Sequence, residues 1–256
     1  MNKFCIVAKK DEISVKIENK IEQELCRCGW EINKEKPELV ICVGGDGTFL
    51  HAIHKHMNNI NNCCFLAIHT GTLGFFTDYT SDEVEECIYD ILHNDPTFKH
   101  RSLLEITYGN NKYYALNEMR IENIVRTQTL NVNIDGYPFE TFRGTGMCVS
   151  TQSGSTAYNR SLKGAVIEEG LDLIQLHEIT GIHHRKYSSL GVSYIMSKER
   201  EIEFTSNSFD GAIMIYDTNH INLKESTPIK VSISKSTIKM AEYKKINYLD
   251  RLRDLY

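Results

Sequence analysis

The stretch Gly44-Gly45-Asp46-Gly47-Thr48 places three glycines around one carboxylate, directly after the apolar run Leu39–Val43. A short apolar run that ends in glycines is typical of a buried strand opening into a turn. Glycines let backbone N–H groups approach a ligand closely, and a helix N-terminus carries partial positive charge, so this place suits phosphate. An aspartate there would take a proton from an attacking hydroxyl or hold a metal with the phosphates. The stretch is not a Walker A loop, because no Gly-Lys-Ser/Thr follows.

The first hundred residues alternate strand and helix patterns that would position this turn. The predicted strands are Phe4–Ala8, Leu39–Val43 and Cys63–Ile68. The predicted helices cover the ladder Ile13, Ile17, Ile21 and Leu25, the span from Thr48 to about Met57, and a segment opened by Thr80 and Glu83 at capping-box spacing. This alternation predicts a parallel sheet, in which ligands lie beyond the carboxyl ends of the strands. The glycine turns at 44–47 and 71–74 both fall at that edge.

A different pattern, of short strands and tight turns, starts after Pro96. Gly109-Asn110-Asn111 and Asp135-Gly136 are hairpin signals. The strand pattern pauses after Ser161 and resumes at Ile202–Thr205, Ala212–Tyr216 and Ile229–Ser234. The expected fold class is α/β plus all-β. It comprises an N-terminal Rossmann-like α/β domain with a parallel sheet (1–97), to which the tail 236–256 returns, followed by a β-sandwich domain (98–235).

Composition excludes several classes of protein. The 256 residues carry a net charge of −5 with interspersed signs, which does not indicate non-specific nucleic-acid binding. No apolar run approaches the length of a membrane span, and no N-terminal signal region is present. Most of the eight cysteines lie in apolar runs, as free thiols do in a reducing compartment. We therefore expect a cytoplasmic protein without nucleic-acid or membrane partners.

The spacing of histidines and cysteines gives little indication of a metal site in this chain. His51 and His54 could share a helix face at i, i+3, but no acidic third ligand stands nearby at a matching spacing. Cys26 and Cys28 form C-x-C, which is not the spacing of zinc ribbons. No metal site made of protein ligands is predicted.

Two further clusters complete a family pattern. Asn117-Glu118 is expected to end the second hairpin strand, and Thr151-Gln152-Ser153-Gly154-Ser155-Thr156-Ala157-Tyr158 follows a strand. Together with GGDGT and Thr70-Gly71-Thr72-Leu73-Gly74-Phe75, their order and spacing resemble the NAD kinase family. That family carries GGDGT, T-G-x-L-G-F, N-E and T-P-x-G-S/T-T-A-Y in this order. The resemblance runs from about Val40 to Tyr158 and continues through residues 174–185, which look like the short bacterial form.

The resemblance implies an activity and its requirements. It implies ATP-dependent phosphorylation of the adenosine 2′-hydroxyl of NAD to give NADP, with Mg²⁺ or another divalent cation, in a homo-oligomer that is a tetramer. Asp46 would be the base that takes the hydroxyl proton. A carboxylate is a weak base in water, so it would act mainly through its position. The sequence leaves open whether ATP or inorganic polyphosphate is the donor, and whether NADH is accepted.

The resemblance also implies a set of nucleotide-binding residues. They are Gly45, Gly47, Thr48, Leu50, Phe75, Asn117, Glu118, Arg143, Thr145, Thr156, Ala157, Tyr158, Ser161 and Thr180. The glycines and Thr48 would receive phosphates, and the N-E pair would bind ribose hydroxyls. Adenine would be held by Thr156, Ala157, Tyr158 and Ser161, with Phe75 lining the same pocket and Arg143 near phosphate.

Two positions depart from the family pattern. Thr145 stands where the family commonly has the aspartate of R-G-D-G, so a charge-assisted hydrogen bond to the dinucleotide, worth about 1.5–3 kcal/mol, is lost. Gln152 replaces the usual proline, which is expected to loosen the backbone before the binding loop. Two alternatives therefore stay open: a catalytically weak dinucleotide-binding regulatory protein, and a relative of the lipid and sphingoid kinases, which also carry GGDGT.

Overall fold

The structure is a computed structural model, and it describes residues 1–71, 74–182, 187, 189–224 and 226–253. The chain forms two compact units: the first comprises Met1–Arg101 and Ser236–Tyr256, and the second comprises Ser102–Lys235. The α-helices are α1 (Glu12–Arg27), α2 (Asp46–Lys55), α3 (Val84–His93), α4 (Tyr158–Ser161) and α5 (Tyr248–Arg253).

The strands follow in chain order. The first eight are β1 (Lys3–Ala8), β2 (Glu31–Ile32), β3 (Leu39–Val43), β4 (Cys64–His69), β5 (Tyr79–Thr80), β6 (Thr97–Tyr108), β7 (Asn111–Ala115) and β8 (Glu118–Glu122). The remaining ones are β9 (Gln128–Ile134), β10 (Tyr137–Ser150), β11 (Leu173–Gly181), β12 (Tyr194–Ser197), β13 (Ile202–Thr205), β14 (Ile213–Tyr216), β15 (Asn219–Asn222) and β16 (Ile229–Glu242).

The first unit is built on a parallel sheet. Its strands lie in the order β2-β1-β3-β4, and the end of β16 and the short β5 both pair with β4. Every residue of β3 and β4 is buried, as expected where helices cover both faces of a parallel sheet. Phe4, Ile41 and Leu66 form its core with the apolar face of α1. The predicted α/β architecture is confirmed.

Helix α1 shows both a correct prediction and a wrong one. Asp11 caps it by accepting a hydrogen bond from the Ser14 N–H at 2.9 Å, and Gly29, with a φ of 88°, follows its end. Ile17, Ile21 and Leu25 are buried, but Ile13, which the ladder placed with them, is 54 % exposed. A ladder of i+4 steps drifts by about 40° per step around a helix, because each turn takes 3.6 residues. Its first member has therefore left the buried face.

The second unit consists of antiparallel strands around one apolar core. Strand β10 organises it: residues 137–144 pair with β9, and residues 144–150 pair with β11 and, from Gly146, with β8. The two predicted hairpins are present as β6–β7 and β9–β10. Ile121, Phe142 and Phe204 are among the fully buried residues of the core. The fold class is thus an α/β unit followed by a strand-rich unit.

Three further expectations from the sequence are wrong. The strand pattern resumes after Ser161 at Leu173 rather than at Ile202, because β11 and β12 precede β13. Apolar Ile174 and Leu176 alternate with polar Gln175 and His177 in β11, a period-two pattern that indicates a strand and from which β11 could have been predicted. Asn117-Glu118 does not end the second hairpin strand: β7 ends at Ala115, and Glu118 opens β8. Helix α2 begins two residues earlier than predicted, at Asp46.

None of the helices in the described part of the chain is long and apolar enough to span a membrane.

Candidate functional site

The Asp46 carboxylate joins the two glycine turns of the first unit. Strands β3 and β4 are parallel neighbours, so the turns that follow them leave the same edge of the sheet. Asp46 lies in the first turn of α2, and its two oxygens accept hydrogen bonds from the N–H groups of Phe75 at 2.8 Å and Phe76 at 3.1 Å. Hydrogen bonds to both oxygens fix the plane of the carboxylate.

Glycine is required where these turns meet. A Cβ on Gly74 would lie 2.4 Å from Oδ1 of Asp46, and a Cβ on Gly44 would lie 2.3 Å from Oγ1 of Thr48. Gly45 and Gly47 differ from these two, because they are exposed and, among the described residues, nothing lies within 4 Å of where a Cβ would stand. That space lies at the N-terminus of α2, where backbone N–H groups can receive an anion. The turn is therefore closed around the carboxylate and open toward a ligand.

The other residues predicted in this unit lie in or beside its core. Leu50 is buried on the apolar face of α2. Phe75 is buried, and its ring meets those of Phe76 and Tyr248 edge to face at centroid distances of 6.2 Å and 5.7 Å. Thr48 is half-buried, and its N–H donates to the Gly45 carbonyl at 2.9 Å.

In the second unit, the backbone at Asn117 is held on several sides. The N–H groups of Leu116 and Asn117 each donate to the Asp217 carboxylate at 2.8 Å. The Asn117 carbonyl accepts the Thr151 N–H at 2.9 Å, and a Cβ on Gly154 would lie 1.9 Å from that carbonyl oxygen. The turn that follows β10 thus packs directly on the N-E pair, and only glycine permits this approach.

Glu118 is a buried carboxylate in a costly environment. Glu118 is only 6 % exposed, and this burial raises the pKa of its carboxyl to about 7. The negative charge of Asp217 adds to the rise, whereas Arg120 and the Tyr158 N–H oppose it. Oε2 of Glu118 and Oδ1 of Asn117 are both buried, and neither has a hydrogen-bond partner within the described residues. Two neighbouring acceptors without donors suit a ligand that brings hydroxyl groups.

The segment after β10 contributes Tyr158 and its neighbours. The Arg120 guanidinium carbon lies 3.7 Å from the centroid of the Tyr158 ring, in cation–π contact. Thr156 and Ala157 are half-buried beside it, and Ser161 is exposed at the end of α4. Ser155 instead has a structural role, because its buried hydroxyl donates to the Gln152 carbonyl at 2.7 Å and accepts the Ile167 N–H at 3.0 Å.

Gln152 does not loosen this segment in the way the missing proline suggested. Its φ of −56° is one that proline also adopts. Its side-chain amide donates to the Ile167 carbonyl at 3.0 Å, so the turn is tied down by a side chain rather than by a ring.

The Arg143-Gly144-Thr145-Gly146 stretch lies on β10, where three strands approach closely. A Cβ on Gly144 would lie 2.4 Å from the Thr180 carbonyl oxygen, and one on Gly146 would lie 1.8 Å from that of Ile121. Thr145 is half-buried between them, and Thr180 is exposed with a φ of 51°. The Arg143 guanidinium donates to the Tyr187 hydroxyl at 2.7 Å. The stretch is therefore fixed by strand packing.

Two residues of this site were not found from the sequence. Asp217 is separated by a hundred residues from the N–H groups that it accepts, and it stands in a plain hairpin turn. Arg120 reads as an ordinary charged residue in a strand, although it lies over Tyr158 and pairs with Glu122. No local signal marks either one.

A divalent cation fits this site only in part. Mg²⁺ is usually held by one or two carboxylates together with substrate phosphates. Asp46 supplies one carboxylate beside the open glycines. Over the described ranges, no group of three or more His, Cys, Asp or Glu side chains could hold a metal. The protein could thus contribute a ligand to a cation that arrives with phosphates.

A parallel α/β unit with a carboxylate in a glycine turn at a helix N-terminus, followed by a strand-rich unit with buried acceptors, is the arrangement expected of a nucleotide-dependent phosphotransferase. Residues 9–96 match the family model of the ATP-NAD kinase N-terminal domain, and residues 110–244 match that of the ATP-NAD kinase C-terminal domain. The chain belongs to the NAD kinase family.

Individual relatives agree with this assignment. The chain is 36 % identical to NAD kinase 1 of Oceanobacillus iheyensis over 264 residues, covering 99 % of this chain and 97 % of the relative. It is 33 % identical to NAD kinase 1 of Bacillus subtilis over 263 residues, covering 99 % and 98 %. The relatives thus match the chain along nearly its whole length.

Solved structures share the fold. Yeast NADH kinase complexed with NADH superposes with a TM-score of 0.82 at 19 % identity, covering 100 % of this chain and 86 % of that one. An NAD kinase from Archaeoglobus fulgidus in complex with ATP gives a TM-score of 0.79 at 22 % identity, covering 98 % and 99 %.

Proposed function

We propose that this chain transfers the γ-phosphoryl group of ATP to the 2′-hydroxyl of the adenosine ribose of NAD, and that Asp46 is its catalytic base. The observation that carries this proposal is the Asp46 carboxylate, held by two N–H groups beside glycines with open space. Such a carboxylate is oriented before a substrate arrives, which is how positioning lowers a barrier.

In the proposed reaction, the 2′-oxygen attacks the γ-phosphorus and forms the new P–O bond. The bond between that phosphorus and the β–γ bridging oxygen breaks, and ADP leaves with the electron pair. Asp46 accepts the proton of the 2′-hydroxyl, while the open N-terminus of α2 stabilises phosphate charge. A divalent cation bound with the phosphates would neutralise further charge.

The second unit supplies dinucleotide recognition in this proposal. The unpartnered oxygens of Asn117 and Glu118 accept hydrogen bonds from ribose hydroxyls, and Tyr158 packs on the nucleotide with its other ring face covered by Arg120. Such hydroxyl donors would satisfy buried acceptors that are otherwise costly. Thr145 leaves this recognition without the carboxylate common in the family.

The test is NADP formation from NAD, ATP and Mg²⁺, followed with an NADP-specific dehydrogenase. Asp46→Asn is expected to lower kcat by at least a hundredfold, because the amide keeps the shape but cannot take the proton. Asp82→Asn, which changes an exposed aspartate near α3, is the control and should keep wild-type turnover. Turnover retained in Asp46→Asn would contradict the proposed base, and no NADP from the wild-type protein would contradict the activity.

Three finer properties belong to the same proposal. We propose Mg²⁺ as the cation, a cytoplasmic location in keeping with eight free cysteines, and a homotetramer. Titration of turnover with EDTA and Mg²⁺ tests the first, and sedimentation equilibrium tests the assembly. Replacing ATP by polyphosphate, and NAD by NADH, in the same assay decides the donor and the acceptor.

A further inference from the structure

The turn that holds Asp46 is itself held from behind by the C-terminal helix. Arg251 lies on α5 and is only 8 % exposed. Its guanidinium donates to the Phe75 carbonyl at 3.0 Å and to the Thr77 carbonyl at 2.6 Å, and it forms an ion pair with Asp78. One arginine therefore anchors three residues of a turn that lies about 175 positions earlier in the sequence.

The peptide group between Phe75 and Phe76 is shared by both interactions. Its carbonyl accepts from Arg251, and its N–H donates to Oδ1 of Asp46 at 3.1 Å. In a planar trans peptide the C=O and N–H point in opposite directions, so any rotation of this peptide weakens both bonds together. Hydrogen bonds in a chain also polarise one another, which strengthens the N–H as a donor.

The surroundings keep this link rigid. Asp78 is buried, and its N–H donates to the Ala67 carbonyl of β4 at 2.9 Å. Burial raises the pKa of Asp78 to about 6, and the charge of Arg251 opposes the rise. The Tyr248 ring of the same helix packs edge to face on Phe75. The geometry leaves the guanidinium as the group that fixes the carbonyl side of the turn.

We propose that Arg251 is a positioning residue for catalysis, which orients the Asp46 carboxylate through the Phe75–Phe76 peptide. This inference rests on the proposed role of Asp46. Arg251 does not touch the reacting atoms in this account. It keeps two N–H donors aimed at the carboxylate, so its loss should affect the chemical step more than substrate binding.

The experiment compares Arg251→Lys with the wild-type protein in steady-state kinetics. Lysine keeps a positive charge near Asp78 but cannot hold two carbonyls and a carboxylate at once. We expect kcat to fall about tenfold, with KM for ATP and NAD changed by less than twofold. Arg253→Lys, on the same helix but exposed, is the matched control and should keep wild-type kcat. Unchanged kcat in Arg251→Lys, or a change in KM alone, would overturn the inference.

A double variant separates positioning through Asp46 from a general loss of structure. If Arg251 acts through Asp46, then Asp46→Asn combined with Arg251→Lys should have the same residual rate as Asp46→Asn alone. An additional tenfold loss in the double variant would overturn the inference. If Asp46→Asn itself retains wild-type turnover, the proposed base fails, and this outcome is distinct from the failure of Arg251.

A further variant assigns the effect to the carbonyl bonds. Asp78→Asn keeps a side-chain oxygen for Arg251 as well as both of its carbonyl acceptors, so kcat should fall less than in Arg251→Lys. A loss as large as that of Arg251→Lys would instead attribute the effect to the ion pair and would overturn the role of the peptide link.

Discussion

The two carboxylates on which the proposed function rests, Asp46 in the first unit and Glu118 in the second, are held in opposite ways. Asp46 is half-buried, and both of its oxygens accept backbone N–H groups. Glu118 is buried beside Asp217, keeps one oxygen without a partner within the described chain, and has a raised pKa of about 7. One carboxylate is satisfied before a ligand arrives, and the other is not.

This difference teaches how the two groups can share one task. A group that takes a proton benefits from fixed geometry, since its rate depends on alignment with the attacking hydroxyl. A group that recognises hydroxyls benefits from unsatisfied acceptors, because the ligand hydroxyls then remove the desolvation penalty that these buried oxygens carry in the free protein. We therefore expect changes at Asp46 to act on kcat and changes at Glu118 to act on NAD binding and on stability.

The largest effect is expected from a substitution at Gly74, which would displace the Asp46 carboxylate. An alanine Cβ there would lie 2.4 Å from Oδ1 of Asp46, so the carboxylate must move. Because a displacement of about 1 Å can cost a hundredfold, we expect Gly74→Ala to lower kcat about a hundredfold while KM for NAD stays near wild type. The measurement is steady-state NADP formation.

Gly71→Ala provides the matched control for this variant. It lies in the same segment, but no heavy atom of the described residues beyond its chain neighbours stands within 4 Å of its Cβ position, so it should keep wild-type kcat. Equal losses in both variants would show that the segment, rather than the carboxylate, is sensitive.

The surroundings of Asp46 could be predicted from the sequence more fully than those of Glu118. The motif around Asp46 is local, because the all-apolar β3 and the glycines after it predict a strand followed by a turn suited to phosphate. The parallel alternation also places the second glycine turn at the same edge. What could not be predicted is that Phe75 and Phe76 donate to Asp46, because no pattern encodes which N–H faces a side chain.

The role of Glu118 and its surroundings could be predicted only through the family resemblance. Its partners Asp217 and Arg120 carry no local signal. The alternation of Ile174 and Leu176 with polar residues does indicate β11, so that strand could have been predicted although its pairing could not. Contacts between residues a hundred positions apart arise from strand pairing, and the sequence pattern specifies strands better than it specifies their partners.

The burial cost of the Glu118 carboxylate can be tested through the pH dependence of protein stability. The folded-state pKa of Glu118, about 7, lies above its usual 4.5, so the folded protein retains a proton that the unfolded chain loses between these values. Stability that this group contributes is therefore present below about pH 4.5 and is lost as pH rises to about 7. Glu118→Gln removes this loss.

We expect the free energy of unfolding of Glu118→Gln, relative to wild type, to increase from pH 5 to pH 8 by an amount on the order of 1–2 kcal/mol. Urea denaturation at both pH values measures it. Glu12→Gln, which removes a highly exposed carboxylate, is the control and should show no such trend. A relative stability that is constant or falls with pH would contradict the burial cost assigned to Glu118.

The smallest expected effect concerns Thr145 on β10. Thr145→Asp restores the carboxylate that the family commonly carries, and a charge-assisted hydrogen bond is worth about 1.5–3 kcal/mol before its costs. We expect KM for NAD to fall about threefold to tenfold with kcat within twofold. Thr141 lies four residues before Thr145, on the same face of β10, so Thr141→Asp serves as the control for added charge. An unchanged KM would mean that recognition here has adapted to threonine.

The most direct test of the division between the two carboxylates is NAD binding by isothermal titration calorimetry, measured for Asp46→Asn and Glu118→Gln beside their turnover. We expect Asp46→Asn to bind NAD with a Kd within about threefold of wild type but to form no NADP, whereas Glu118→Gln should bind NAD at least tenfold more weakly. Weakened binding in Asp46→Asn together with unchanged binding in Glu118→Gln would contradict this expectation.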